Sequence, residues 1–259
     1  MNRTFFPAAS GFWLGRLPYL HDRTRTDSDP KMTAARTVVF DLDGTLVDTA
    51  PDLINALNFV LDREGLPPVP LESARNMIGA GARKLIERGL ELEGRAAGVE
   101  DIMRLTGDFI DHYAAHIADL SRPFDGVERA LDDLGMLGYR FAVCTNKLEW
   151  LSKLLLDKLG LSSLFSAICG ADTFGVAKPD PDILRQTIAR AGGGLSAAIM
   201  VGDAGPDIGV ARRAGIPVIG VEFGYTDVPI AELKPDRLIN HMRELPAAVQ
   251  SLMLHRNTT

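Results

Sequence analysis

The chain is predicted to fold as a doubly wound α/β protein, with a parallel-sheet core and a helical cap inserted after the first strand. Three observations lead there. Short apolar runs recur along the sequence with helical patterns between them, several of these runs end in carboxylates or turn-forming residues, and one long interval carries helical patterns alone. Strands alternating with helices imply βαβ units and a parallel sheet, whose chemistry gathers at the carboxyl ends of the strands.

The first run, Val38 to Phe40, ends in Asp41-Leu42-Asp43-Gly44-Thr45, as a buried strand does when it delivers polar groups to a sheet edge. From Thr49 to about Pro123 no strand-like run appears, and Leu53–Arg63, Ala82–Gly89 and Ile102–Ile117 have helical spacing. This interval, 49–123, is predicted to be a helical cap that covers the catalytic edge as a lid. The core resumes with a helix over Val127–Leu137, a strand over Phe141–Cys144 and a helix over Leu148–Leu159. A strand at Ala167–Cys169, a helix at Asp182–Ala191, a strand at Ile199–Gly202, a helix at Pro206–Ala214 and a strand at Val218–Val221 follow. Gly192–Gly194 reads as a flexible connection. The catalytic core is thus assigned to 32–48 and 124–259, and residues 1–31 to a disordered, dispensable extension ahead of the first strand.

With 259 residues the chain is long enough to bury a real core. A net charge of −6, with Lys and Arg scattered rather than clustered, argues against a nucleic-acid partner. No apolar run reaches the roughly 18–20 residues of a membrane span. The nearest, Phe5 to Leu20, is interrupted by Pro7, Gly11, Gly15, Arg16 and Pro18, so no membrane partner is expected. The two cysteines, Cys144 and Cys169, lie inside apolar runs and suit a reducing, cytoplasmic setting better than a disulfide framework. A monomer or homodimer is expected.

Asp41 and Asp43 are two apart on an extended segment, so both carboxylates can face one reacting centre. Crowded carboxylates repel, and a divalent cation bound through hard oxygen ligands, magnesium above all, relieves this. Taken alone, the segment reads equally well as a carboxylate-rich turn built on Gly44. Three further segments change that balance: Thr145-Asn146-Lys147, Lys178-Pro179-Asp180-Pro181, and Gly202-Asp203 with Asp207. Each follows a predicted strand, so all converge on one sheet edge. Together they offer a nucleophile, a metal cage, a hydroxyl for phosphate and a cation for developing charge, the parts that phosphoryl transfer requires.

In the order and spacing of these four motifs, the sequence resembles the haloacid dehalogenase-like hydrolases from Arg36 to the C-terminal helix. The resemblance implies a Rossmann-like core and a Mg2+ cofactor. By the same likeness Asp41 is the nucleophile and a metal ligand, and Asp43 is the general acid and base whose main-chain carbonyl also reaches the metal. Thr145 would hydrogen-bond the transferring phosphoryl group, Lys178 would offset charge on Asp41 and the phosphate, and Asp203 would complete the metal site. Asp207 would orient metal-bound water or Lys178. Asp43 separates phosphatases from true dehalogenases, because an alkoxide leaving group needs a proton and halide does not. The position after Asp203, commonly a hydroxyl residue in relatives, is Ala204 here, which removes a secondary hydrogen bond.

Val143-Cys144-Thr145-Asn146-Lys147 and Ile78-Gly79-Ala80-Gly81-Ala82-Arg83-Lys84-Leu85 look like phosphoglycolate phosphatases, which makes 2-phosphoglycolate the first-choice substrate. Asn146 is a substrate-binding candidate. Arg83 is a second, either paired with the substrate carboxylate or, with Lys84, part of a solvated helix face. Phosphosugar phosphatases, pyrophosphatases and phosphomutases share much of the pattern, and a non-catalytic binding protein could keep the fold. His112 and His116, one helical turn apart, read as a solvated or packing pair rather than metal ligands. In each of these enzymatic readings the partner is a small phosphorylated metabolite.

Overall fold

The computed structural model describes residues 35–226 and 228–256; the extension assigned to 1–31 lies outside them. Strand β1, Ala35–Phe40, has Val38, Val39 and Phe40 fully buried. A two-residue strand β2, Val47–Asp48, leads into helices α1 (Ala50–Arg63), α2 (Leu71–Ala74), α3 (Ala82–Leu92) and α4 (Val99–Ala115). Strand β3, Arg122–Pro123, then returns and pairs antiparallel with β2, Val47 opposite Pro123 and Asp48 opposite Arg122. The helical segment therefore leaves and re-enters the core at adjacent points. Buried Asp52 near the start of α1 fastens the same place, accepting hydrogen bonds from the Leu120 and Ser121 amides and the Ser121 hydroxyl.

Beyond it come α5 (Val127–Met136), β4 (Arg140–Cys144), α6 (Glu149–Lys158), β5 (Ala167–Cys169) and α7 (Pro181–Arg190). The remainder is β6 (Gly193–Gly202), α8 (Gly205–Ala214), β7 (Val218–Val221), β8 (Arg237–Ile239) and α9 (Leu245–Arg256). Six strands form one wholly parallel sheet in the order β5-β4-β1-β6-β7-β8. The strand period of two divides β1 between the two faces. Val38 and Phe40 belong to an apolar cluster that runs through Leu46 into Leu57, Ile86 and Phe109 of the helical segment. Val39 joins Ala142, Cys144 and Met200 on the other face, under Ile183, Leu184 and Ala211 of α7 and α8.

The structure differs from the sequence expectation at three places. Strand β8 was not anticipated, because only Ile239 of its three residues is buried and Pro235-Asp236 precede it. The β2 and β3 pair was not either, since two residues cannot show a period. Gly193 and Gly194 are strand rather than a flexible connection, with Gly193 opposite Ala35. A Cβ on Gly193 would lie 2.2 Å from the Thr37 hydroxyl oxygen, which hydrogen-bonds the Ala35 carbonyl. Thr37 is β-branched and fully buried and has little room to yield. Gly193→Ala is accordingly expected to destabilise the protein by about 1–3 kcal/mol, read as a fall of several degrees in Tm with the secondary-structure spectrum intact.

Candidate active site

The carboxyl ends of β5, β4, β1 and β6 stand side by side, and the chain delivers a polar group just past β4, β1 and β6. Asp41 is the first residue after β1 and still hydrogen-bonds the Val201 carbonyl of β6 through its amide. Thr145 follows β4 in the same way, its amide on the Cys169 carbonyl of β5. Asp203 follows β6, and Lys178 sits between β5 and α7. All four are buried, as is Asp207 in the first turn of α8.

Their electrostatics follow from crowding. Lys178 Nζ lies 2.7 Å from Asp41 Oδ1 and 2.7 Å from Asp207 Oδ1. Asp41 Oδ1 also accepts from the Leu42 amide, so one oxygen of this carboxylate is held while Oδ2 makes no hydrogen bond among the described residues. Burial, reinforced by the charge of Asp207 and opposed by Lys178, pushes the Asp41 carboxyl up to about 7. Burial also raises Asp203 well above the usual carboxylate range, with the charges of Asp207 and Asp41 adding to it. Hydrogen bonds from the Tyr225 amide to Oδ2 (2.7 Å) and the Thr45 hydroxyl to Oδ1 (2.8 Å) act the other way. For Lys178 burial favours the neutral amine, but Asp207 and Asp41 outweigh it and hold the side chain protonated.

Ligand oxygens of Asp41, Asp203 and Asp207 lie within 4.8 Å of one another. Three buried carboxylates against one ammonium leave a deficit of positive charge, and an all-oxygen donor set suits a hard divalent cation. Asp207 is the least available of the three. Its Oδ1 takes Lys178 and its Oδ2 accepts the amides of Asp203 (3.2 Å) and Ala204 (3.1 Å), covering the N-terminus of α8. Gly44 has φ +86°, and a Cβ there would be 2.5 Å from Asp203 Oδ2, so the turn after Asp43 needs glycine on both counts.

Asp43 is engaged by residues to which the sequence reading gave no role. Lys147 Nζ bonds both its oxygens at 2.8 and 2.9 Å, and the Thr49 hydroxyl donates to Oδ1 at 2.8 Å. The only available signal for Lys147 was its place in the Thr145-Asn146-Lys147 segment. Tyr225 also went unnoticed. Besides orienting Asp203, its hydroxyl accepts from the Ala50 amide and donates to Asp48, which joins the metal-ligand candidate to the start of α1.

A cavity of about 250 Å³ opens on these groups. Asp41, Asp43, Thr145, Asn146 and Lys147 line it from the sheet side, and Gly79–Arg83, Phe109 and Tyr113 from the helical segment. Asn146 uses its amide to hold other parts of the wall. Oδ1 accepts from the Lys178 amide, and Nδ2 donates to the carbonyls of Lys178 and Gly79. The side chain of Arg83 is 60% exposed and paired with Glu87 at 2.8 Å; Lys84 pairs with the same carboxylate, as a solvated helix face would. Contact between Arg83 and a substrate requires that pair to open. His112 stacks on Phe59 with ring centroids 3.9 Å apart. No helix among the described residues is long and apolar enough to cross a membrane.

Comparison with known proteins agrees on one family. The model of the haloacid dehalogenase-like hydrolases matches residues 38–221. A phosphoglycolate phosphatase of Caulobacter vibrioides is 47% identical over 217 residues, 84% of this chain and 92% of that protein. One from Agrobacterium fabrum is 46% identical over 216 residues, covering 83% and 93%. The crystal structure of a predicted phosphoglycolate phosphatase from Haemophilus somnus superposes with a TM-score of 0.77 at 28% identity, over 84% of this chain and 99% of that one.

Proposed function

The chain belongs to the haloacid dehalogenase-like hydrolases, in their phosphoglycolate phosphatase-like branch, and is a phosphoric monoester hydrolase; from that premise we propose that it hydrolyses 2-phosphoglycolate to glycolate and phosphate through a phosphorylated Asp41. The observation that carries the reading is the meeting of Asp41, Thr145, Lys178 and Asp203 at adjacent strand ends, with Asp41, Asp43 and Thr145 on the wall of one small cavity. Residues 32–48 and 124–259 form the catalytic core in this reading, and 49–123 the cap. The enzyme acts on this small metabolite in the cytoplasm.

The held Oδ1 of Asp41 fixes the carboxylate, and Oδ2 attacks phosphorus. The Lys178 ammonium, 2.7 Å from Asp41, and the Thr145 hydroxyl, on the wall of the same cavity, meet the phosphoryl oxygens as charge builds on them. Lys178 keeps its proton because Asp207 sits against it, which is the positioning role assigned to Asp207. Asp43 protonates the departing glycolate oxygen and then accepts the proton of the water that attacks the phosphorylated Asp41. Asn146 shapes the phosphate end through its bonds to Lys178, and Arg83 attracts the anionic substrate at the rim of the cavity.

Magnesium suits this donor set. Asp41, Asp203 and the main-chain carbonyl of Asp43 would hold it, and bound there it supplies positive charge against the phosphate and the crowded carboxylates. A phosphate-release screen over small monoesters, with and without Mg2+, tests both parts. Phosphoglycolate is expected to give the highest kcat/KM, and chelation by EDTA to remove turnover, restored by added Mg2+. The reading fails if another ester is strongly preferred or EDTA leaves the rate unchanged.

A further inference from the structure

One residue of the cavity wall carries a buried polar atom without a partner among the described residues. Tyr113, 1% exposed, lines the cavity from α4, and its hydroxyl makes no hydrogen bond among the described residues. A hydroxyl desolvated without a partner is costly, and native structures seldom keep one unless something else meets it. Lys147 Nζ lies 4.6 Å from the centre of the same ring. The Lys147 side chain is 5% exposed and has Asp43 as its ion-pair partner.

We propose that the Tyr113 hydroxyl and the Lys147 ammonium together form the subsite for the carboxylate of the substrate, and so set the preference for phosphoglycolate over esters without that group. The inference rests on the phosphoglycolate reading above and adds the residues that enforce it. In phosphoglycolate a single methylene separates the ester oxygen from the carboxylate. Asp43 must reach the ester oxygen, so a cation hydrogen-bonded to Asp43 stands beside the place the carboxylate occupies. Lys147 is that cation. The Tyr113 hydroxyl is kept in its donor form by burial first, then by the charges of Asp43 and Asp52. A carboxylate would give it the acceptor that no described residue does. Arg83, largely exposed and paired with Glu87, is screened by solvent and acts only at the rim.

The test uses the full chain with Mg2+ and two substrates, phosphoglycolate and ethyl phosphate, which has the same carbon count without the carboxylate. The readout is the ratio of their kcat/KM values. The wild type is expected to favour phosphoglycolate, and Tyr113→Phe and Lys147→Met each to lower the ratio by about tenfold or more, the scale of a lost charge-assisted hydrogen bond. Arg83→Ala, at the rim, should lower kcat/KM for both anionic esters by a similar and smaller factor. Tyr113→Phe removes a hydroxyl that bonds none of the described residues, so it should melt at or above the wild-type temperature and decides the matter if Lys147→Met fails to fold. A wild-type ratio retained in Tyr113→Phe overturns the subsite while the phosphoglycolate reading stands, as does a ratio lost in Arg83→Ala alone. A wild type without any preference overturns the phosphoglycolate reading and this inference with it.

Discussion

Asp41→Asn is expected to lower turnover of every phosphate ester by at least about 10⁴-fold, the scale at which enzymes lose activity when a covalent nucleophile is removed. The substitution is nearly isosteric, and the loss should not come from unfolding. In the folded protein the Asp41 carboxyl is pushed from 3.8 up to about 7, by burial first and then by Asp207. A carboxyl whose folded pKa is raised favours the folded state while it is protonated, at low pH. That contribution is lost as the pH climbs from about 4 through 7, and above 7 the ionised group opposes folding. The Asn variant has no such group. In EDTA at pH 8 its Tm should therefore equal or exceed that of the wild type, while its activity stays absent at all pH values. A variant that retained a large share of wild-type activity would require another nucleophile.

Asp43→Asn should divide substrates by their leaving groups. With phosphoglycolate the departing alkoxide needs a proton, so the first step stops and turnover is nearly abolished. With p-nitrophenyl phosphate the leaving anion is stable unprotonated, and the first step partly survives. The second step still lacks the base that accepts a proton from water. Nitrophenolate should then appear as a burst close to one equivalent per active site, followed by a stall, which rapid-mixing absorbance can follow. Lys147 and Thr49 both donate to Asp43 Oδ1, bonds that the carbonyl oxygen of Asn can still accept, while the second bond of Lys147, to Oδ2, is lost. Wild-type rates with both substrates would remove Asp43 from the role given to it.

The parts of this molecule that a sequence reveals are those where local pattern and chemistry coincide. Strands β1, β4, β5, β6 and β7 carry continuous apolar runs because a parallel sheet covered on both faces buries both sets of side chains. Three of them, β1, β4 and β6, end next to residues that carry the motifs. Strand β8, at the sheet edge, has only one buried residue and no such run. The residues that went unassigned are defined by tertiary neighbours. Lys147 meets Asp43 across 104 positions, and Tyr225 meets Asp48 across 177. Tyr113 looks like one more apolar position on the buried stripe of α4, beside Phe109, and nothing local marks its hydroxyl as unpartnered. Asn146 and Arg83 were visible as polar groups near the motifs. Their bonds to Lys178 and Glu87 depend on loops and helix faces that spacing does not specify.

The phosphoryl group is expected to pass through Asp41. The Asp43→Asn protein, quenched in acid after its burst with p-nitrophenyl phosphate, should hold that intermediate. Intact mass is expected to show one added phosphoryl group per chain. Borohydride reduction, which converts an acyl phosphate to an alcohol, should turn residue 41 into homoserine, located by peptide mapping and absent when substrate is withheld. A full burst with Asp41 unmodified, or a phosphoryl group mapped to any other residue, would contradict the account.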